Sequence, residues 1–343
     1  EVRGTVVVNA AGPEVDAVLG GLDAAARRPR FELSTAMNLV TRQVLPTHAV
    51  GLRGRFGVSR PDGSQVLREQ VLFMAPWRGY SLVGTVHAPY EGPVTDRWVT
   101  EPMVQALLDA INQAYPPARL TRRDVYLVHR GFLPQDPARR GDDVSLLRQG
   151  QVIDHARDDG VEGLITAIGV KFTTARHLAE QVVDLVVRKG ARPASACRTR
   201  HEPIPGGHLA DWRAFLDEQR ADWPVPMPEA RIERLVRTYG TNCRALWPYW
   251  QMDASAARPV ASGTDITRAE VRHAVEHEAV VHLDDVVRRR TAMGSAGPPP
   301  EKAVEAAAQV MAAARGWDAR RTHQEIDRVW SAYALAEGPE VLS

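Results

Sequence analysis

One segment of the chain places a glycine, a lysine and two threonines between a predicted strand and a predicted helix. The apolar run Leu164–Ile168 has the length of a buried strand, and the apolar residues after it recur with the period of a helix. Gly169 lets a partner approach the backbone closely, and Lys171 adds a positive charge. The hydroxyl oxygens of Thr173 and Thr174 are predicted to cap the helix. Because a helix N-terminus attracts negative charge, the segment predicts a site for an anionic ligand, although an ordinary strand–turn–helix connection explains the same residues equally well.

Two histidines and four carboxylates lie close together in Glu276–Asp285, a composition that suggests a metal site. The zinc-protease pattern requires histidines at positions i and i+4 of one helix face, whereas His277 and His282 diverge by about 140° on a helix. We therefore predict no metal here and interpret the segment as a solvated or interface face of a helix. The sequence also contains no nucleophile elbow, P-loop or GxGxxG fingerprint.

Composition excludes several classes of partner. The 343 residues include 43 lysines and arginines against 42 aspartates and glutamates, so no net charge favours nucleic acid. Cys197 and Cys243 are too few for a disulfide framework and fit a reducing compartment. With no signal peptide and no apolar run of about 18 residues, we expect a cytoplasmic protein with a small-molecule substrate. Peripheral contact with the inner face of a membrane stays open.

Hydrophobic patterns divide the chain into a strand-rich first part and a helix-rich second part. Strands are predicted at Val6–Asn9, repeatedly within Glu32–Tyr90 around a turn at Pro61–Gly63, at Asp124–His129 before a loop at Arg130–Pro134, at Gln151–His155 and at Gly163–Ile168. Helices are predicted at Val104–Ala114, Arg231–Thr238, Arg268–Thr291, Glu301–Ala314 and Arg320–Tyr333. The fold class is therefore α/β or α+β, with a mixed-sheet domain followed by an all-helical C-terminal domain.

Several motifs together are similar to those of one family. NAAGP at Asn9–Pro13 looks like that family's NATGPW segment, MAPWRGYSLVGTV at Met74–Val86 like its PW…GTTD hairpin, and GVKFTTAR at Gly169–Arg176 like its GGKLTTYR. PIPGG at Pro203–Gly207, RTYGTN at Arg237–Asn242 and the long segment Glu270–Gly294 are similar to its helical C-terminal domain. The chain thus resembles the FAD-dependent glycerol-3-phosphate dehydrogenases, which are D-amino-acid-oxidase-like flavoproteins.

The resemblance implies a division of the chain and a set of cofactor contacts. Residues 1–30 would be the last strand and turn of an FAD-binding domain, 31–160 a mixed-sheet substrate domain, 161–190 the returning strand and helix of the FAD-binding domain, and 191–343 the helical C-terminal domain. The adenosine side of FAD would contact Asn9, Ala11, Gly12 and Pro13, and the flavin ring would contact Gly169, Lys171, Phe172 and Thr173. A lysine and a helix N-terminus there would stabilise the negative charge of the reduced cofactor.

Departures from the family pattern concern the substrate. Leu133 stands where the family has an arginine for the phosphate, and Arg130 is the nearest arginine that could replace it. Asn38 stands where the family has a histidine, and His87 stands at the aspartate of its GTTD hairpin. With a pKa near neutrality, His87 is a candidate proton acceptor, and a satisfied surface histidine is the alternative interpretation.

The resemblance implies an FAD-dependent dehydrogenase that oxidises glycerol 3-phosphate, or a similar secondary alcohol, to the ketone, with electrons passing through FAD to quinone or another acceptor. His87, Arg130 and Lys171 would be its catalytic residues. The family's GxGxxG unit is not in this sequence, so we expect an N-terminally truncated chain that binds FAD poorly or not at all. The alternatives are a related FAD oxidoreductase acting on an unphosphorylated alcohol or an amine, and a non-catalytic fragment that serves as an interaction module.

Overall fold

The computed structural model describes residues 4–21, 31–59, 65–90, 94, 99–136, 144–190 and 193–335. The chain divides into two compact units, the first formed mainly by residues up to His201 and the second mainly by Glu202–Leu335. Val125–Leu127 group with the second unit. The predicted turn at Pro61–Gly63 lies outside the described residues.

The first unit carries all eight strands of the described chain. In chain order its elements are β1 (Val7–Asn9), α1 (Val15–Leu19), β2 (Glu32–Arg42), β3 (Val50–Ser59), β4 (Gln65–Trp77), β5 (Tyr80–Tyr90), α2 (Glu101–Ala114), β6 (Val125–Gln135), β7 (Gln151–Asp154), α3 (His155–Asp158), β8 (Leu164–Ile168) and α4 (Ala175–Gly190). The strands form two sheets, one in the order β1-β8-β7 and one in the order β3-β4-β5-β2-β6. The predicted mixture of sheets and helices is confirmed.

The three-stranded sheet combines parallel and antiparallel pairing. β1 pairs with β8 in parallel, and β7 pairs with β8 in antiparallel orientation. A small apolar core, centred on the buried side chains of Val15, Leu19, Leu164 and Ile168, packs α1 against this sheet. The core explains why Leu164–Ile168 is a nearly continuous apolar run, as expected of a buried strand with a parallel partner.

The five-stranded sheet has one buried face and one partly exposed face. The side chains of Leu39, Val83 and Met74 lie side by side on one face of neighbouring strands and are fully buried. On the opposite face of β4, the side chain of Phe73 is 60% exposed. Because side chains alternate along a strand, the sheet presents a second face to solvent or to a ligand.

The second unit is helical. Its elements are α5 (Trp212–Asp222), α6 (Glu229–Tyr239), α7 (Trp247–Met252), α8 (Arg268–His277), α9 (Leu283–Asp285), α10 (Glu301–Arg315) and α11 (Ala319–Ser331). The largest core joins buried residues of α8, α9 and α10, including Val271, Leu283 and Val304. None of the helices in the described ranges is both long enough and apolar enough to cross a bilayer.

The predicted boundary between β6 and the loop after it is wrong. β6 continues through Arg130–Pro134, which the sequence pattern assigned to a loop. β6 is an edge strand, where a proline costs no hydrogen bond to a second neighbour. The side chain of Ser34 on β2 also donates a hydrogen bond to the carbonyl of Leu133, at 3.4 Å.

The predicted helix Arg268–Thr291 is interrupted, so its central segment is not a helix face. α8 ends at His277, and Ala279 has a positive φ of 53°. The helix restarts after His282, whose backbone N–H donates to the Asp285 carboxylate at 2.8 Å in a capping box. A local capping signal therefore overrides the continuous apolar period.

Candidate cofactor and substrate site

The carboxyl ends of β1 and β8 lie side by side in the three-stranded sheet. The two strands are parallel, and Asn9 is the partner of Thr166 in their register. The turn after Asn9 and the turn after Ile168 therefore leave the same edge of the sheet. In α/β sheets, ligands bind at this kind of edge, outside the carboxyl ends of the strands.

The first of these turns is built around Asn9. Its buried side chain donates from Nδ2 to the carbonyl of Val15 at 3.0 Å and accepts from the backbone N–H of Ala11 at 3.3 Å. Gly12 has a φ of +62°, which favours glycine, and Pro13 follows it in a 3₁₀ turn that leads into α1. The amide of Asn9 thus fixes the shape of the predicted adenosine segment.

The second turn connects β8 to α4. Gly169, Lys171 and Thr173 are exposed, and the side chain of Phe172 is 100% exposed. A 3₁₀ turn over Phe172–Thr174 precedes α4. The predicted strand, turn and helix are confirmed, and the hydroxyl of Thr174 donates to the carbonyl of Lys171 at 3.1 Å.

The glycines of both turns are uncrowded by the described residues around them. A Cβ added at Gly12 would meet no heavy atom within 4 Å, and one added at Gly169 would only make an ordinary contact with Leu178 at 3.8 Å. The exposed ammonium group of Lys171 and the aromatic ring of Phe172 lie in the second turn. These residues fit a flat cofactor with anionic groups, since they offer positive charge, an aromatic surface and unobstructed backbone.

The exposed face of the five-stranded sheet carries a row of side chains across neighbouring strands. Phe73 on β4 pairs with Gly84 on β5, which pairs with Asn38 on β2. Oδ1 of Asn38 lies 2.9 Å from Nδ1 of His129 on β6. An aromatic ring, an amide and an imidazole therefore share this face, which we call the imidazole face.

His87 also points to the imidazole face. It lies on β5 opposite Ala36, two residues before Asn38 on β2. Its Nδ1 atom is buried and has no hydrogen-bond partner among the described residues. Burial lowers the pKa of His87 below its ordinary value, because desolvation disfavours the charged imidazole. The lowered pKa favours the neutral imidazole, and the catalytic role of His87 stays a prediction.

Arg130 and Leu133 lie on opposite faces of β6. Because side chains alternate along a strand, Leu133 lies on the same face of β6 as His129, whereas Arg130 lies on the same face as Phe132. The ring of Phe132 contacts Tyr90 at 4.9 Å between centroids, and Tyr90 has the opposite parity from His87 on β5. A replacement of the missing phosphate arginine by Arg130 stays a prediction, and this alternation does not support it.

The sequence patterns had not singled out Phe73 or His129. Both residues lie in predicted strands, but nothing in the local sequence shows that β2 runs between β5 and β6. The His129–Asn38 contact joins residues that are far apart in sequence. Only the strand order brings them together.

Comparison with known proteins identifies the relatives of the chain. Residues 197–322 match the family described as the C-terminal domain of alpha-glycerophosphate oxidase. A glycerol-3-phosphate dehydrogenase of Synechocystis sp. is 30% identical over 224 residues, which cover 64% of this chain and 39% of the relative. Glycerol-3-phosphate dehydrogenase 2 of Mycobacterium tuberculosis is 27% identical over an alignment of 349 residues, which covers 100% of this chain and 55% of the relative. The resemblance to the glycerol-3-phosphate dehydrogenases is confirmed.

A solved structure supports the same fold. The glycerol-3-phosphate dehydrogenase from Bacillus halodurans, crystallised in complex with FAD, matches with a TM-score of 0.72 and 24% identity, over 98% of this chain and 64% of that chain. The likeness establishes a mixed α/β fold with a helical C-terminal region. The chain spans about half the length of the curated relatives it matches, 39% and 55% for the two compared.

Proposed function

We propose that the chain is part of an FAD-dependent dehydrogenase that oxidises glycerol 3-phosphate, or a similar secondary alcohol, to the ketone. The observation that carries the proposal is the shared edge of β1 and β8, which brings the turns at Asn9–Pro13 and Gly169–Thr173 side by side. FAD, when bound, supplies the acceptor for the hydride. Residues 1–30 and 161–190 would form the cofactor domain, 31–160 the substrate domain, and 191–343 the helical domain.

Each predicted residue except Arg130 has a role in this proposal. The first turn, with Asn9, Ala11, Gly12 and Pro13, would hold the adenosine side of the cofactor. Gly169, Phe172 and Thr173 would contact the flavin ring, and Lys171 would stabilise the negative charge that the ring gains on reduction. A histidine of the imidazole face would accept the substrate hydroxyl proton, and His87 is the one that the sequence predicts for this role. Quinone is the proposed electron acceptor, with peripheral membrane contact where that acceptor is held.

One observation favours a second candidate substrate. Leu133, on the imidazole face, stands in place of a phosphate-binding arginine, and a leucine side chain offers a phosphate no hydrogen bond or charge. An unphosphorylated alcohol or an amine is therefore the alternative to glycerol 3-phosphate.

A flavin absorbance experiment separates these candidates. The protein is expressed from its complete coding sequence, and its spectrum is recorded anaerobically before and after addition of glycerol 3-phosphate or glycerol. Bleaching by glycerol 3-phosphate supports the first candidate, and bleaching by glycerol alone supports the second. A bound flavin that stays oxidised with both overturns the substrate assignment, and a protein without flavin overturns the cofactor assignment.

A lysine variant tests the cofactor role within the same protein. We expect Lys171→Met to lower the reduction potential of the bound flavin, because it removes a positive charge that stabilises the reduced form. Lys302→Met removes an exposed lysine from α10 and is the matched control. Equal potentials in the two variants would exclude Lys171 from the flavin site.

A further inference from the structure

His129 and Asn38 form a pair that fixes the orientation of an imidazole on the imidazole face. Oδ1 of Asn38 and Nδ1 of His129 are 2.9 Å apart, a normal hydrogen-bond distance. An amide oxygen only accepts hydrogen bonds, so Nδ1 of His129 carries the proton and donates it. In the neutral ring, the lone pair is then on Nε2, which is the atom able to accept a proton.

His87 lacks such an anchor. Its Nδ1 atom has no partner among the described residues, so no hydrogen bond there selects one tautomer of the ring. A general base needs a fixed tautomer and a fixed direction, which a hydrogen-bond acceptor on the second ring nitrogen provides. By this criterion His129 is better prepared than His87 to accept a proton.

The two histidines approach the imidazole face from different strands. β5 and β6 lie on either side of β2, so their backbones are about 9–10 Å apart. The substrate hydroxyl gives up a single proton, so one of the two rings accepts it. Among the described side chains of β2, β5 and β6 near Asn38, His87 and His129 are the titratable groups of this face, since Arg130 points to the other side.

We propose that His129 is the catalytic residue that accepts the substrate hydroxyl proton and that Asn38 is its positioning residue. The inference rests on the proposed function. The O–H bond of the alcohol breaks as its proton moves to Nε2 of His129, the carbinol C–H bond gives up a hydride with two electrons to the flavin oxidant, and a C=O bond forms.

The test uses the pH dependence of anaerobic flavin reduction in the protein from its complete coding sequence. His129→Gln should slow reduction by about 100-fold or more and remove the acid limb of the pH profile, because the base that must be unprotonated is gone. Asn38→Asp places a carboxylate beside Nδ1, stabilises the imidazolium, and should move the acid limb to higher pH by about one unit. In the variant that combines His129→Gln with Asn38→Asp, this shift of the acid limb should be absent.

Control variants separate catalysis from structure. His48→Gln makes the same substitution at an exposed histidine outside the imidazole face and should change neither the rate nor the profile. The His87→Gln variant should keep the acid limb, and adding Asn38→Asp should still shift it. If His129→Gln fails to fold, His129→Ala in the presence of added imidazole is the second test, with recovery of flavin reduction expected.

Each outcome decides between the hypotheses. An acid limb that is lost in His87→Gln and kept in His129→Gln assigns the base to His87 and overturns the proposal. An unshifted limb in Asn38→Asp, or no recovery by imidazole, also overturns it. A wild-type flavin that no alcohol reduces is a failure of the proposed function itself and is recognised before any variant is made.

Discussion

His273 on α8 is a buried histidine whose ionisation opposes folding. It is 9% exposed, and its Nδ1 atom has no hydrogen-bond partner among the described residues. Burial, and next the nearby His277, lower the pKa of His273 below its ordinary value. The groups that face it are Tyr239, Tyr249, Glu276, His277 and Glu278.

The sign of the pH effect follows from proton binding. Below the ordinary histidine pKa of about 6.5, His273 binds a proton more readily in the unfolded chain than in the folded chain. The free energy of unfolding of the second unit should therefore fall as the pH falls from about 7.5 to about 5.5. His273→Phe should reduce this fall, measured by urea unfolding with tryptophan fluorescence at both pH values.

A matched variant gives the comparison for His273. His323 is an exposed histidine on α11, so His323→Phe should leave the pH dependence as in the wild type. An equal pH dependence in His273→Phe and wild type would show that His273 does not carry the effect.

Residue chemistry was only partly readable from the sequence. The turn with Gly169 and Lys171 was predictable because a strand, a glycine and a helix follow one another locally. The His129–Asn38 pair was not, because it depends on the order of strands in a sheet. The parity that separates Arg130 from Leu133 was also hidden, since Arg130–Pro134 was predicted as a loop.

Two glycine-containing segments of the second unit meet backbone to backbone. The N–H of Thr241 donates to the carbonyl of Gly206 at 3.0 Å, and Gly206 and Gly240 both have positive φ. A Cβ added at Gly240 would lie 2.0 Å from the Gly206 oxygen. The motifs PIPGG and RTYGTN are thus two sides of one contact, which requires glycine for space as well as for conformation.

Gly240→Ala should therefore be severely destabilising. We expect a loss of about 3 kcal/mol or more in the free energy of unfolding, from backbone strain and overpacking together. Gly316→Ala is the comparison, because Gly316 lies in the ordinary left-handed region, with φ 67° and ψ 34°, and has no heavy atom near its added Cβ, whereas Gly240 has φ 57° and ψ −135°. That variant should lose only about 1 kcal/mol. Equal losses in urea unfolding would contradict the expectation that Gly240 is the more sensitive position.

Helices and strands were predictable where one period ran uninterrupted. β8 and α10 follow the predicted segments closely, since each combines a single apolar period with clear ends. The segment Arg268–Thr291 shows the limit. Its apolar period continues across a break, and the local signals at Ala279 and His282 end one helix and begin the next.

At the scale of the whole chain, the candidate cofactor site depends on one long-range pairing. β1 and β8 come from opposite ends of the first unit's sequence, and no local pattern shows that they are neighbours. The resemblance to the family supplied that information, and the parallel register of Asn9 with Thr166 agrees with it. Composition and periodicity alone predict the turns at Asn9–Pro13 and Gly169–Thr173 but not that the two turns are neighbours.

Substitution of Ile165 tests whether this pairing supports flavin binding. Ile165 is fully buried and pairs with Val8, so Ile165→Ala should cost about 3 kcal/mol and loosen β8 beneath both turns. In the protein from its complete coding sequence, we expect a lower flavin-to-protein absorbance ratio after gel filtration. Ile232→Ala makes the same change at a buried isoleucine of α6 and should lower the thermal midpoint without releasing flavin. Equal flavin loss in both variants would mean that general destabilisation, and not the β1–β8 pair, controls cofactor retention.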